Sequence, residues 1–182
     1  MERSTLNGKT FLVGYHTQEW RTSGVLEKPI RCVASNAWLG IGYYFWTELE
    51  FAHYWGEDYK KHRTGCYDIY RALLDVENCI NAVFDEEGYF YFREKIESTI
   101  QHFLDNGKNV DLQKVHRFLA ENVWQRMGIT GIIYDDIPSN PRHKSERIYS
   151  KIPDLYYKKR IQVVMFDIKT ICNFSIALEE QS

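Results

Sequence analysis

The sequence predicts an α+β domain: a mixed sheet with helices packed on it and a helical pair inserted between strands. Three observations carry this. Apolar, β-rich runs recur along the chain, two long segments switch to a helical period, and no phosphate-binding glycine motif follows a strand. At 182 residues the simplest organisation is one domain over 1–182, long enough to bury a core.

The elements follow in order. "KTFLVGYH", Lys9 to His16, reads as a first strand ending at His16, and a turn-rich stretch from Gln18 to Asn36 leads away from it. "WLGIGYYFWTELEFAHYW", Trp38 to Trp55, combines aromatic rings with Gly40 and Gly42. The glycines imply a sharp turn or a close approach. Tyr43 to Phe45 reads as a short strand, Thr47 as a helix N-cap with Glu48 and Glu50 in the first turn, and Phe51 to Trp55 as helix. "YDIYRALLDV", Tyr67 to Val76, is strand-like.

The helical insertion spans roughly 84–128. In "YFYFREKIESTIQHFLDNG", Tyr89 to Gly107, one face gathers Phe92, Ile96, Ile100, Phe103 and Leu104 before the terminal glycine. In "VDLQKVHRFLAENVWQRMG", Asp111 caps, Leu112, Val115, Leu119 and Val123 share a face, and Gly128 closes. These two helices are expected to form an antiparallel pair. "ITGIIYDDI" is a further strand, Pro138 to Arg160 is irregular, and "IQVVMFDI" reads as the last, buried strand.

Composition excludes several classes. A net charge of -2 does not advertise nucleic-acid or membrane binding by the whole molecule, and no apolar run reaches the length of a membrane span. The start "MERSTLNGKTFLVGY" lacks a signal-peptide pattern. Cys32, Cys66, Cys79 and Cys172 form no CxxC pair, so reduced thiols of a cytoplasmic protein are expected, with no metal site. Charge is strongly segregated, however. Ile137 to Arg160 holds seven cations against Glu146 and Asp154, which leaves the rest of the chain at -7.

Three short motifs in order, "YHT" (Tyr15 to Thr17), "WLGIGYYF" (Trp38 to Phe45) and "AHY" (Ala52 to Tyr54), with "IQVVMFD" near the end, resemble the ADP-ribosyltransferase superfamily in its diphtheria-toxin-like, His-Tyr-Glu branch. That branch carries "YHG[TS]", "WLGxGIYF", "A-x-Y" and "E-x-x-V-x-D". The resemblance implies a split β-sandwich and NAD+ as co-substrate. It places His16 on the adenosine ribose, Thr17 backbone groups on the nicotinamide amide, and the nicotinamide ring between Tyr44 and Tyr54, with Gly42 lining the cofactor site. Electron-rich rings suit a flat cation. His16, Tyr44 and Gln162 are the expected catalytic positions.

Two departures stand out. The glycine after the histidine is replaced by Thr17, and Gln162 occupies the glutamate position. Glutamine orients a ribose but supplies no charge to an oxocarbenium-like transition state, which argues against poly(ADP-ribose) elongation. Glu146 and Asp136 are the candidate substitutes for the missing carboxylate. The loop before the last strand faces the acceptor in the resembled family. Here Arg142, Lys144, Glu146, Arg147 and Tyr149 suit RNA or DNA slightly better than a protein surface.

The expectation is therefore a mono-ADP-ribosyltransferase of toxin, effector or phage-defence type, with an antitoxin or inhibitor as a further partner. The rivals are an inactive module binding NAD+ or ADP-ribose, an RNA 2′-phosphotransferase, and an unrelated α+β interaction domain. The 2′-phosphotransferase should show further arginine and histidine anchors, and the first half of the chain lacks that set.

Overall fold

The computed structural model describes residues 1–22, 24–136 and 159–179. Its strands are β1 (Arg3–Leu6), β2 (Lys9–Glu19), β3 (Tyr43–Trp46), β4 (Tyr67–Leu74), β5 (Cys79–Asn81), β6 (Gly131–Asp136), β7 (Arg160–Met165) and β8 (Ile171–Glu179). The helices are α1 (Leu49–Trp55), α2 (Lys61–Thr64), α3 (Glu86–Asp105), α4 (Leu112–Leu119) and α5 (Gln125–Met127). One π-helical segment, Gly56–Lys60, joins α1 to α2, and another, Ala120–Trp124, joins α4 to α5.

All eight strands belong to one mixed sheet in the order β5-β6-β7-β3-β2-β4-β8, with β1 on β2. Only β5 and β6 run parallel among these pairs, and the inserted helices make the crossover between them. The sheet has a weak seam. β2 meets β3 through the single pair Tyr15↔Trp46, whereas β2 meets β4 along Leu12 to Glu19. Beyond the seam one half lies over the other. Phe45, Ile133, Ile161, Val163 and Met165 pack with Leu12, Ala72 and Leu74 in one buried cluster. A Cβ on Gly14 would come within 2.6 Å of Leu74 and 3.0 Å of Phe45, which shows how close the halves lie at this point.

The helical insertion covers the opposite face. Phe92, Phe103, Val115, Leu119 and Trp124 bury against Ile132, Val164 and Leu39, and the rings of Phe103 and Phe118 join α3 to α4 at 5.5 Å. The aromatic-rich α1 packs Phe51 and Ala52 on Trp46, Tyr67 and Ile69.

The structure corrects the expected elements in several places. β1 precedes the predicted first strand and pairs with it through Asn7 (φ 50) and Gly8 (φ 77), a two-residue hairpin turn with both residues left-handed. β2 continues past His16 to Glu19, β5 was not foreseen, and β8 follows the strand read as last. Thr47 does not cap α1. Glu48 occupies that position without a side-chain capping bond to the helix, while Thr47 donates through N and Oγ1 to the Ile161 carbonyl. Leu104 (55% exposed) and Leu112 (45%) lie outside the helical faces assigned to them, and Thr99 is buried instead. Asp111 caps α4 as expected, accepting from the Lys114 N–H at 2.8 Å.

Candidate functional site

The seam positions the site. Just past Tyr15↔Trp46 the strands part, and His16 turns its ring into the opening, 6% exposed. Its Nδ1 lies 2.8 Å from the Tyr44 carbonyl oxygen, and its ring packs on Phe45 at 5.5 Å and Phe174 at 6.1 Å. A carbonyl only accepts, so Nδ1 carries the hydrogen and Nε2 is left as an acceptor. Burial pushes the imidazole down to about 4 against the raising effect of the Tyr44 bond, so the ring is neutral at ordinary pH. The donor facing Nε2 is the Ile30 N–H at 3.4 Å, a long contact.

Thr17 is buried and its Oγ1 donates to the Ala52 carbonyl at 2.8 Å, tying β2 to α1. The Thr17 side chain is therefore housed against α1.

Tyr44 closes the loop before its own strand. Its hydroxyl accepts from the Leu39 N–H at 3.1 Å and donates to the Gly40 carbonyl at 2.7 Å, and burial raises its pKa. Gly40 sits at φ 89, the sharp turn expected of it. At Gly42 the close approach is made by β7: a Cβ there would lie 2.5 Å from Val164 Cγ2 and 2.8 Å from the Met165 oxygen. Gly42→Ala is therefore expected to cost about 1–3 kcal/mol through overpacking, read as a lowered urea midpoint. Tyr54 lies on α1, with its hydroxyl donating to Glu50 Oε1 at 3.0 Å and its ring 6.2 Å from Phe51.

Gln162, 7% exposed, pairs in register with Trp46 on one side and Tyr134 on the other. Its Oε1 accepts from Trp38 Nε1–H at 2.9 Å, which leaves the amide N–H groups as its remaining donors. Register partners share a face, so the Tyr44, Trp46, Gln162, Tyr134, Arg160 and Asp136 side chains lie on one side of the sheet. Tyr15 shares that side through its pairing with Trp46, so His16 lies on the other. The strand order thus puts His16, Tyr44 and Gln162 on three adjacent strands but divides their side chains between two faces. The Tyr44 carbonyl is the link across the seam.

Asp136 ends this face. Arg160 Nη2 holds its Oδ2 at 3.2 Å, and the guanidinium also lies over the rings of Trp46 (5.0 Å) and Phe51 (5.7 Å). Burial raises the Asp136 carboxyl to about 6 in spite of Arg160. Arg160 was counted with the basic segment. It is in fact buried, with an unpartnered Nε, and paired within the sheet, so it does not belong to an exposed phosphate-binding surface. Arg142, Lys144, Glu146, Arg147 and Tyr149 lie outside the described residues.

Sequence reasoning missed Trp38 as the partner of Gln162. The available signal was the tryptophan of the "WLG" motif, whose indole N–H needs an acceptor when buried. It also missed the Asp136–Arg160 pair, which depends on the register of β6 and β7. Among the described residues no group of three His, Cys, Asp or Glu side chains could hold a metal ion, and no helix is long and apolar enough to cross a membrane.

No family model, no characterised protein and no solved structure matches this chain.

Proposed function

We propose that this chain is an NAD+-dependent mono-ADP-ribosyltransferase. The observation that carries the reading is the order β7-β3-β2, in which the positions of Gln162, Tyr44 and His16 fall side by side, with the His16 imidazole bonded to the Tyr44 carbonyl. These are the strands and positions on which the sequence resemblance to the His-Tyr-Glu branch rests.

On this reading the cofactor crosses the seam between the two faces: His16 Nε2 accepts from a ribose hydroxyl on one side, while on the other Thr17 backbone groups meet the nicotinamide amide and Tyr44 and Tyr54 hold the ring, with Gly42 in the backbone just before Tyr44. The Gln162 amide donates to the nicotinamide ribose. The bond between the anomeric carbon and the nicotinamide nitrogen breaks, its electron pair leaves with neutral nicotinamide, and an acceptor nucleophile bonds to that carbon and loses its proton. An amide gives the cationic transition state no countercharge, which fits a single transfer to a strong nucleophile. The setting proposed is cytoplasmic, as a toxin, effector or defence enzyme with an inhibitory partner.

Labelled NAD+ tests this with purified protein, separate pools of RNA, DNA and cell protein, and His16→Ala as the control. Label transferred by the wild type alone is the expected result. A protein that neither transfers nor binds NAD+ overturns the reading. Gln162→Glu is expected to raise NAD+ hydrolysis about tenfold, equivalent to ~1.4 kcal/mol of barrier, because the introduced carboxylate stabilises the oxocarbenium charge. An unchanged rate removes position 162 from that role.

One observation favours a second reading, a module that binds NAD+ or ADP-ribose without turnover. Asp136, the described candidate for the missing carboxylate, is already neutralised by Arg160, and the Gln162 oxygen is already taken by Trp38. NAD+ binding by calorimetry with no transfer and no hydrolysis is the result that selects it.

A further inference from the structure

A cleft opens beside this face, at the junction of β5, α3 and β6. It has a volume of about 490 Å³ and is lined by Ala82 to Glu86, Tyr89, Tyr134, Asp135 and Lys159. That size suits a small ligand or one long side chain. Two features define its chemistry. Phe84 is 59% exposed and Tyr89 39%, while Tyr134 is steadied by Phe92 at 5.3 Å and Trp38 at 5.6 Å, so aromatic surface is presented from both α3 and β6. Among the described residues the charges lining it are Asp85, Glu86 and Asp135 against Lys159, whose Nζ stands 3.6 Å from Asp135.

We infer that this cleft binds a guanidinium group, the side chain of an arginine on a partner protein. Aromatic faces together with carboxylates attract a cation and repel a phosphate. The planar guanidinium fits better than an ammonium because it stacks on rings while its five N–H donors reach carboxylates on two sides. Here Asp85 and Glu86 stand at the start of α3, and Asp135 stands on β6. The positive end of the α3 dipole opposes a cation, but only with about half a charge, and it is answered locally: Asp85 accepts from the Glu87 N–H at 3.2 Å. Tyr134 connects the cleft to the candidate site, since it lines the one and pairs in register with Gln162 in the other. A role as the acceptor's entry point rests on the proposed function; the binding itself does not.

The test uses no NAD+, so its failure is distinct from a failure of transfer. Isotope-labelled protein is titrated with N-acetylarginine methylamide and followed by the backbone amide resonances. Saturable shifts at Ala82, Val83, Tyr134 and Asp135 are expected, with affinity at least tenfold lower in the Glu86→Gln/Asp135→Asn double variant and several-fold lower for the lysine analogue. Both substituted residues are solvent-accessible, and the spectrum itself reports whether the variant is folded. Absent or non-saturating shifts, equal binding of the lysine analogue, an unaffected double variant, or adenosine monophosphate occupying the same amides would each overturn the inference.

Discussion

Arg160→Met is expected to destabilise the protein by about 3 kcal/mol at pH 7.5. Arg160 is 5% exposed, and its guanidinium pairs with Asp136 at 3.2 Å and lies over Trp46 at 5.0 Å. Methionine replaces the packed stem but leaves the carboxylate half-buried without its countercharge. The lower end of the usual cost applies because the Asp136 side chain keeps 21% exposure and water reaches it. Asp136→Asn in the same chain should recover most of the loss, since two neutral groups of similar size need no mutual charge. Urea midpoints followed by tryptophan fluorescence measure both. A double variant as unstable as Arg160→Met would show that the stacking on Trp46 and Phe51, and not the ion pair, holds this corner.

The contrast between what was and was not legible in the sequence has a local explanation. α3 and α4 carry whole turns of apolar periodicity with aspartate at the start, and the left-handed Gly107 and Gly128 lie just past α3 and α5, so the two helical stretches could be read directly. β7 is buried along its whole length, and the consecutive apolar residues Val163, Val164 and Met165 made it legible in spite of Arg160 and Gln162. β8 was missed although "CNFSIA" alternates regularly, with Cys172, Phe174 and Ile176 half-buried and Asn173, Ser175 and Ala177 exposed; its place beyond the strand read as last is set by pairing with β4, a long-range contact. β1 was missed although Asn7-Gly8 is a strong hairpin signal, because "RSTL" is short and polar at three of its four positions.

The site divides along the same line. The motif around Trp38 to Tyr44 placed a tight glycine turn and an ordered tyrosine, both local features. The direction in which each side chain faces depends on register. One residue of spacing along β2 puts His16 on the side of the sheet opposite Tyr15, and no local pattern states which strand lies beside it. The identity of Gln162 was plain in the sequence, but its bond to Trp38 spans 124 positions.

Acidification should separate the two buried titrating groups of this site by sign. His16 has its folded-state pKa near 4, below the ordinary 6.5, because burial disfavours the imidazolium. Between those values the unfolded chain binds a proton that the folded chain refuses. The His16 contribution is therefore complete above pH 6.5 and is lost as pH falls toward 4, by ~3 kcal/mol in all. Asp136 acts oppositely. Its carboxyl is raised from 3.8 to about 6, so the folded chain holds a proton that the unfolded chain releases, and stability falls as pH rises through that window. In wild type the two trends oppose each other between pH 4 and 6. His16→Gln should lose about 3 kcal/mol less than wild type on going from pH 6.5 to 4, and Asp136→Asn should lose more. Urea denaturation at pH 4, 5, 6 and 7 measures the three profiles. Parallel curves would mean that the imidazole is reached by water when folded. That result would also bear on the proposed ribose contact, which needs the same neutral ring with Nε2 open to accept.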